Sequence, residues 1–137
     1  MRRNGRTVEA IIGCAADTRG AGVAYAQLAG AAERHLLRIP FRLDALEQPD
    51  RAAGYAALTA VARVLRGRGV ARVRFLVDDE TLLGDLSGRT NVPDALVMPY
   101  VRLRCALNQF DDASFGQATS GDLAQRARAE VALRIAA

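Results

Sequence analysis

The first third of the chain is built from short apolar stretches separated by turn residues. Thr7 to Ala16 is apolar, with β-branched Val8, Ile11 and Ile12, and predicts a first strand. Asp17-Thr18-Arg19-Gly20 is a turn signal, Gly22 to Leu28 predicts a second strand, and Ala29-Gly30-Ala31 a further turn. From Arg34 to Leu43 the pattern alternates with period two. His35, Leu37, Ile39, Phe41 and Leu43 share one face, while Arg38 and Arg42 lie on the other. Three consecutive strands with short connections predict an antiparallel meander.

The period then changes. Pro49-Asp50 opens a helix, with Asp50 the expected N-cap. Tyr55, Leu58, Ala62 and Leu65 recur at helical spacing, Val61 and Val64 widen the stripe, and Gly67 and Gly69 end it. Ala71 to Val77 predicts a compact strand with Val73, Phe75 and Val77 on one face. Asp78-Asp79-Glu80 leads into a short helix from Thr81 to Leu86, closed by Gly88. After a loop through Asn91 and Pro93, Pro99 sits in the first turn of a helix running to Gln109. Ala113 to Ala118 predicts a last strand, and Asp122 to Ile135 a final helix with Leu123, Ala127 and Val131 stacked. The predicted order is β-β-β-α-β-α-α-β-α, with no internal repeat, low-complexity tract or linker.

A length of 137 residues fits a single domain over 1–137, and with half the residues hydrophobic and a quarter charged the chain is neither disordered nor fibrous. The longest charge-free run, Gly20 to Ala32, is too weakly apolar to span a bilayer, and Arg2 and Arg3 precede Asn4, Gly5 and Arg6 rather than an apolar segment. A soluble, cytoplasmic protein with no membrane partner is expected. The net charge is +4, and all 19 basic residues are Arg. A basic balance points to nucleic acid or another polyanion, whereas the missing Lys follows equally from codons rich in G and C. The densest basic spacing is at Arg63, Arg66, Arg68, Arg72 and Arg74. Cys14 and Cys105 match no metal or redox spacing and are expected as small buried hydrophobes. With His35 as the single histidine, neither a familiar zinc site nor a recognisable triad can be assembled, and His35 reads as a strand residue.

The order and lengths of these elements resemble the ribonuclease H-like fold, and within it the type 1 ribonuclease H family. The segment Val73-Arg74-Phe75-Leu76-Val77-Asp78-Asp79-Glu80-Thr81-Leu82-Leu83-Gly84-Asp85-Leu86-Ser87-Gly88 is similar to the family's fourth strand, its Asp-Ser-Gln step and the short helix ending in Leu-x-Gly. Ala53-Gly54-Tyr55-Ala56-Ala57-Leu58 resembles its Ala-Glu-Tyr-x-Ala-Leu, and Gly22-Val23-Ala24-Tyr25 its glycine-rich approach to the second strand. The resemblance implies an α/β fold. Its five-stranded mixed sheet would run in the order 3-2-1-4-5, with the first three strands antiparallel, the first and fourth parallel through a crossover helix, and helices on both faces.

The family's chemistry needs four carboxylates around two Mg²⁺ or Mn²⁺ ions that clamp the attacking water and the leaving oxygen of a phosphodiester. Among the matching positions only Asp78 carries a carboxylate. The expected Glu is Gly54, and the first-strand Asp, which precedes a Gly, falls near Gly13. The last-helix Asp falls at Arg126, with Asp122 in place of the Asn before it; an Arg there would bring a fixed cation beside Asp78. One carboxylate does not hold a metal pair, so no metal or cofactor is expected unless Asp17, Asp79, Glu80 or Asp122 rebuild the cluster. Asp78, Asp79 and Glu80 equally suit a solvated helix start.

Three functions follow from the sequence. The first is a catalytically degenerate ribonuclease H-like domain that binds RNA, DNA or an RNA–DNA hybrid through Arg63, Arg66, Arg68, Arg72 and Arg74. The second is an active metal-dependent nuclease with displaced ligands. The third is an interaction or assembly module on the same fold. Arginines at a helix end also serve simply to complement the helix dipole, and the absence of Trp weakens any base-stacking recognition of single strands.

Overall fold

Alternating and helically spaced apolar residues become strands and helices in the computed structural model, which describes residues 7–30, 35–43 and 48–136. Along the described residues run β1 (Val8–Ala16), β2 (Ala21–Ala29), β3 (His35–Arg42), α1 (Pro49–Gly67), β4 (Arg72–Val77), α2 (Glu80–Ser87), α3 (Val97–Leu107), β5 (Asp112–Gln117) and α4 (Asp122–Ala136). A 3-10 turn at Asp94–Leu96, which the sequence pattern did not signal, precedes α3. The expected positions of Arg2 to Arg6, of Ala31 and of Arg34 lie outside the described residues.

The strands form one mixed sheet in the order β3-β2-β1-β4-β5. β2 pairs antiparallel with both β1 and β3. β4 pairs parallel with both β1 and β5, placing Ile12 opposite Val77. Parallel pairing requires a crossover, and α1 supplies it. One face of the sheet packs against α1, α2 and α3 through a core that includes Ile12, Tyr55, Leu58, Leu65, Phe75 and Leu103. On the other face, Val23 and Tyr25 of β2 pack against Ala127 and Val131 of α4.

Two expectations need correction. The N-cap of α1 is Gln48, in the left-handed region at φ 47°, and no side chain caps the helix. Pro49 has the fixed φ suited to a first helical position and needs no partner for a missing N–H, so the helix begins before Asp50. Cys105 is exposed on α3 rather than buried. His35 opens β3 as the strand residue expected, at an exposed position.

Two polar clusters lock the layers. Asp85 of α2 is 1% exposed and accepts hydrogen bonds from the Arg51 guanidinium (Nε to Oδ2, 2.9 Å), the Tyr55 hydroxyl and the Thr90 hydroxyl. Arg51 also donates to the Asn91 carbonyl at 2.7 Å, so α1, α2 and the following loop share one node. Burial pushes the Asp85 carboxyl up, but the bonds from Arg51, Thr90 and Tyr55 outweigh it and hold the group below its ordinary range. On the opposite face, Glu130 of α4 accepts from Tyr25 and Arg38, and those bonds hold its carboxyl down near 2.

Removing the Asp85 carboxylate strands a guanidinium and two hydroxyls. Asp85→Ala is expected to destabilise the fold by about 3 kcal/mol, near the low end for a broken buried pair because Arg51 keeps a path to water; urea unfolding followed by circular dichroism measures it. The depressed Glu130 group stabilises the fold fully above about pH 4.5 and loses that contribution as pH falls toward 2. Acid titrations of the wild type and Glu130→Gln should therefore converge over this window, the variant showing the shallower loss.

Candidate functional site

The carboxyl ends of β1 and β4 lie side by side, and the chain leaves them in different directions, toward β2 on one side and α2 on the other. Such a switch point opens a crevice at the strand ends. Here it is a cleft of about 430 Å³, closed by the N-terminal half of α1 and the first turns of α4.

The closeness of α4 shapes the cleft. A Cβ built on Gly13 would overlap the backbone nitrogen of Ala124 and the carbonyl carbon of Leu123. Only a glycine lets α4 settle on β1 in this way. The residue before Gly13, Ile12, is 5% exposed and turns to the α1 side of the sheet. From α1 the cleft receives Asp50 and Gly54, from the end of β4 Asp78 and Asp79, and from α4 Ala124 and Arg128.

The carboxylates are spent differently. Asp79 Oδ1 accepts from the backbone N–H groups of Thr81 and Leu82 and so caps α2, while its Oδ2 would lie 3.7 Å from a Cβ on Gly54. Exposed Asp78 lies against the start of α4, its Oδ2 3.1 Å from where a Gly121 Cβ would stand. Cys14 also lines the cleft. Burial first, then the charges of Asp79, Asp78 and Asp50, push its thiol up to about 12 against the opposing pull of Arg128. That thiol stays protonated and is a poor nucleophile or metal ligand at neutral pH. Among the described residues, no group of three or more His, Cys, Asp or Glu side chains could hold a metal ion.

No protein-family model matches this sequence, and no curated protein matches it. Solved structures do match. RNase H1 from the halophilic archaeon Halobacterium salinarum superposes with a TM-score of 0.72 at 19% identity, over 93% of this chain and 98% of that one. The N-terminal RNase H domain of a Mycobacterium tuberculosis protein gives 0.68 at 16% identity, over 88% and 95%. LC11-RNase H1 in complex with an RNA/DNA hybrid gives 0.61 at 12% identity, over 95% and 99%. The chain has the ribonuclease H-like fold. At these identities the likeness establishes the fold alone.

Within that fold, Asp78, Gly54 and Gly13 come together as the sequence suggested, but Arg126 does not. Its guanidinium lies over the Tyr25 ring, 4.8 Å from the centroid, and no pair with Asp78 is formed. The α4 residue facing Gly13 is Ala124, and the cation of the cleft is Arg128, one turn further on. Of the residues weighed as substitute ligands, Asp79 lines the cleft and Asp17, Glu80 and Asp122 do not. Asp17 closes the β1–β2 turn, accepting from Ala21 and Arg19; the bond from Ala21 is the main reason its carboxyl is held below the usual range. Asp50, Cys14 and Arg128 were missed. Helical spacing back from Gly54 and forward from Ala124 would have located Asp50 and Arg128.

The five arginines do not form one surface. Arg66 and Arg68 end α1, roughly 25 Å along the helix from Asp50 at 1.5 Å per residue, so they stand at the far end of the sheet from the cleft. Arg66 covers the Phe110 ring at 5.7 Å and donates to the Val70 carbonyl. Arg72 and Arg74 project from the sheet face opposite α1; Arg72 pairs with Asp112 at 3.8 Å and Arg74 lies across Gly116. Arg63 faces a separate groove beside α1.

Gly13→Ala should destabilise the protein by about 1–3 kcal/mol, because its methyl meets backbone that cannot swing aside. Urea midpoints of Gly13→Ala and of the control Gly67→Ala, where an added Cβ meets nothing, test whether α4 truly rests on β1.

Proposed function

We propose that this ribonuclease H-like domain binds nucleic acid without hydrolysing it. The observation carrying the reading is the makeup of the cleft. Apolar Ile12, Gly54 and Ala124 stand around Asp78, and α4 backbone fills the space a side chain at Gly13 would need. Two-metal phosphodiester hydrolysis needs carboxylates shared between ions a few ångströms apart. Asp78 is free to offer oxygens, but Asp79 is committed to capping α2 and Arg128 brings positive charge. This donor set does not fit a pair of Mg²⁺ ions.

Binding is supported by the net charge of +4 and by a fold that, in LC11-RNase H1, is found with an RNA/DNA hybrid. The arginines Arg63, Arg66, Arg68, Arg72 and Arg74, spread over separate faces, are the proposed phosphate contacts. Arg68 and Arg74 contribute most, because Arg66 and Arg72 already serve Phe110, Val70 and Asp112. The contact is sequence-tolerant and salt-sensitive, as backbone contacts are.

A second reading, an active nuclease, draws on Asp50, which joins Asp78 and Asp79 at the cleft rim. One pair of measurements separates them. Fluorescence anisotropy with a labelled RNA–DNA hybrid should show binding that weakens steeply with salt, and Arg68→Gln/Arg74→Gln should flatten the log–log salt slope by about 2. The same hybrid incubated with Mg²⁺ or Mn²⁺ should stay intact. Metal-dependent cleavage abolished by Asp78→Asn would overturn the non-hydrolytic reading, and absence of binding at low salt would favour an assembly module.

A further inference from the structure

The chain has three Tyr, four Phe and no Trp, and each of the seven rings is engaged within the fold. Tyr55 and Phe75 are fully buried in the core. Phe115 stacks on Phe75 with 5.9 Å between centroids, and Phe110 meets Phe75 edge-on at 6.2 Å. Tyr100 meets Tyr55 edge-on at 6.0 Å. The Phe41 ring lies where a Cβ on Gly22 would stand.

Arginines cover three of the rings. Arg66 lies over Phe110, Arg104 over Tyr100 at 5.3 Å from its centroid, and Arg126 over Tyr25, whose hydroxyl donates to Glu130. Arg66 and Arg104 are held in place by donating to the Val70 and Leu86 carbonyls. All seven rings are buried or half-buried, and none is exposed. Proteins that hold unpaired strands stack successive bases on aromatic side chains along a charged groove. Here the rings are used up by packing, and the attraction left to a strand is that of guanidinium for phosphate. Each phosphate neutralised releases about 0.9 of a counterion from a duplex but only about 0.7 from a single strand. The same arginines therefore gain more from a duplex.

We infer that the partner is a double helix rather than an unpaired strand, and that a DNA–DNA duplex is taken as readily as an RNA–DNA hybrid. The inference rests on the nucleic-acid reading given above and names the class of partner for it. Telling RNA from DNA requires a group placed on the 2′-hydroxyl. Guanidiniums such as those of Arg68 and Arg74 donate to phosphate oxygens, which both kinds of duplex carry.

Fluorescence anisotropy with three labelled probes of one length and sequence tests this: an RNA–DNA hybrid, the matching DNA–DNA duplex and its unpaired DNA strand. The two duplexes should bind the wild type within about twofold of each other, since both offer the same phosphates. The unpaired strand should bind at least about threefold more weakly at low salt, with a log–log salt slope shallower by about 0.4 for the two contacts of Arg68 and Arg74. Arg68→Gln/Arg74→Gln should lose affinity for both duplexes equally, and an unchanged circular dichroism melt keeps a folding defect out of the comparison. An unpaired strand bound as tightly as the hybrid overturns the inference and leaves the nucleic-acid reading standing, the guanidinium planes over the rings then serving the bases. A hybrid preferred beyond the twofold margin overturns it equally. Failure of all three probes to bind at low salt overturns the nucleic-acid reading, and the inference with it.

Discussion

The parallel pairing of β1 with β4 is the constraint from which the rest of the molecule follows. Two parallel strands adjacent in the sheet cannot be joined by a tight turn, so the chain must cross over one face, and α1 is that crossing. The same pairing sets the carboxyl ends of both strands at one edge and sends the chain away from them in opposite directions. The cleft is the space left there. A shift of register would carry Ile12 away from Val77 and turn the β1 side chains to the wrong faces.

Close packing then decides how much of that space is usable. Gly13 lets the α4 backbone descend onto β1, and Tyr25, Glu130 and Arg38 tie α4 to the neighbouring strands. Across the sheet, the Asp85 node binds α1 to α2 and so fixes where Asp79 ends one wall of the cleft. These bonds hold the walls of the cleft from outside it. A catalytic site needs its charged groups converging on a reacting atom. Of the charged groups in this cleft, Asp79 is turned instead to capping α2.

The two flanks of α1 divide the surface chemistry. One flank faces the acidic rim of the cleft, with Asp50, Asp78 and Asp79 balanced by Arg128. The other faces the separate groove that Arg63 lines. Small residues on both flanks, Ala53, Gly54 and Ala57 on one and Ala52, Ala56 and Ala60 on the other, keep the helix slim enough for both hollows to exist. The positive charge of the chain is thus spread among the groove, the end of α1 and the open face of β4 and β5, rather than gathered into one stripe.

The sequence by itself determined the elements, their order and the sheet. Period-two alternation at Leu37, Ile39 and Phe41, helical spacing at Tyr55, Leu58 and Leu65, and turn residues between them are local signals that need no knowledge of neighbours. Asp78, Gly54 and Gly13 were also legible as one site, because strand ends and a helix start have fixed places in this topology. Tertiary structure alone decided how α4 is rotated and how far it advances over β1. A two-residue offset in the reading of the last helix exchanged Arg126, which stacks on Tyr25, for Arg128, which reaches the cleft. Long arginine side chains choose among partners from distant strands and helices, as Arg66 does with Phe110 and Arg51 with Asp85. Exposure of Cys105 likewise depends on which side of α3 the core occupies. Spacing along a chain specifies which residues share a face; only the packing of one element against another specifies what that face meets.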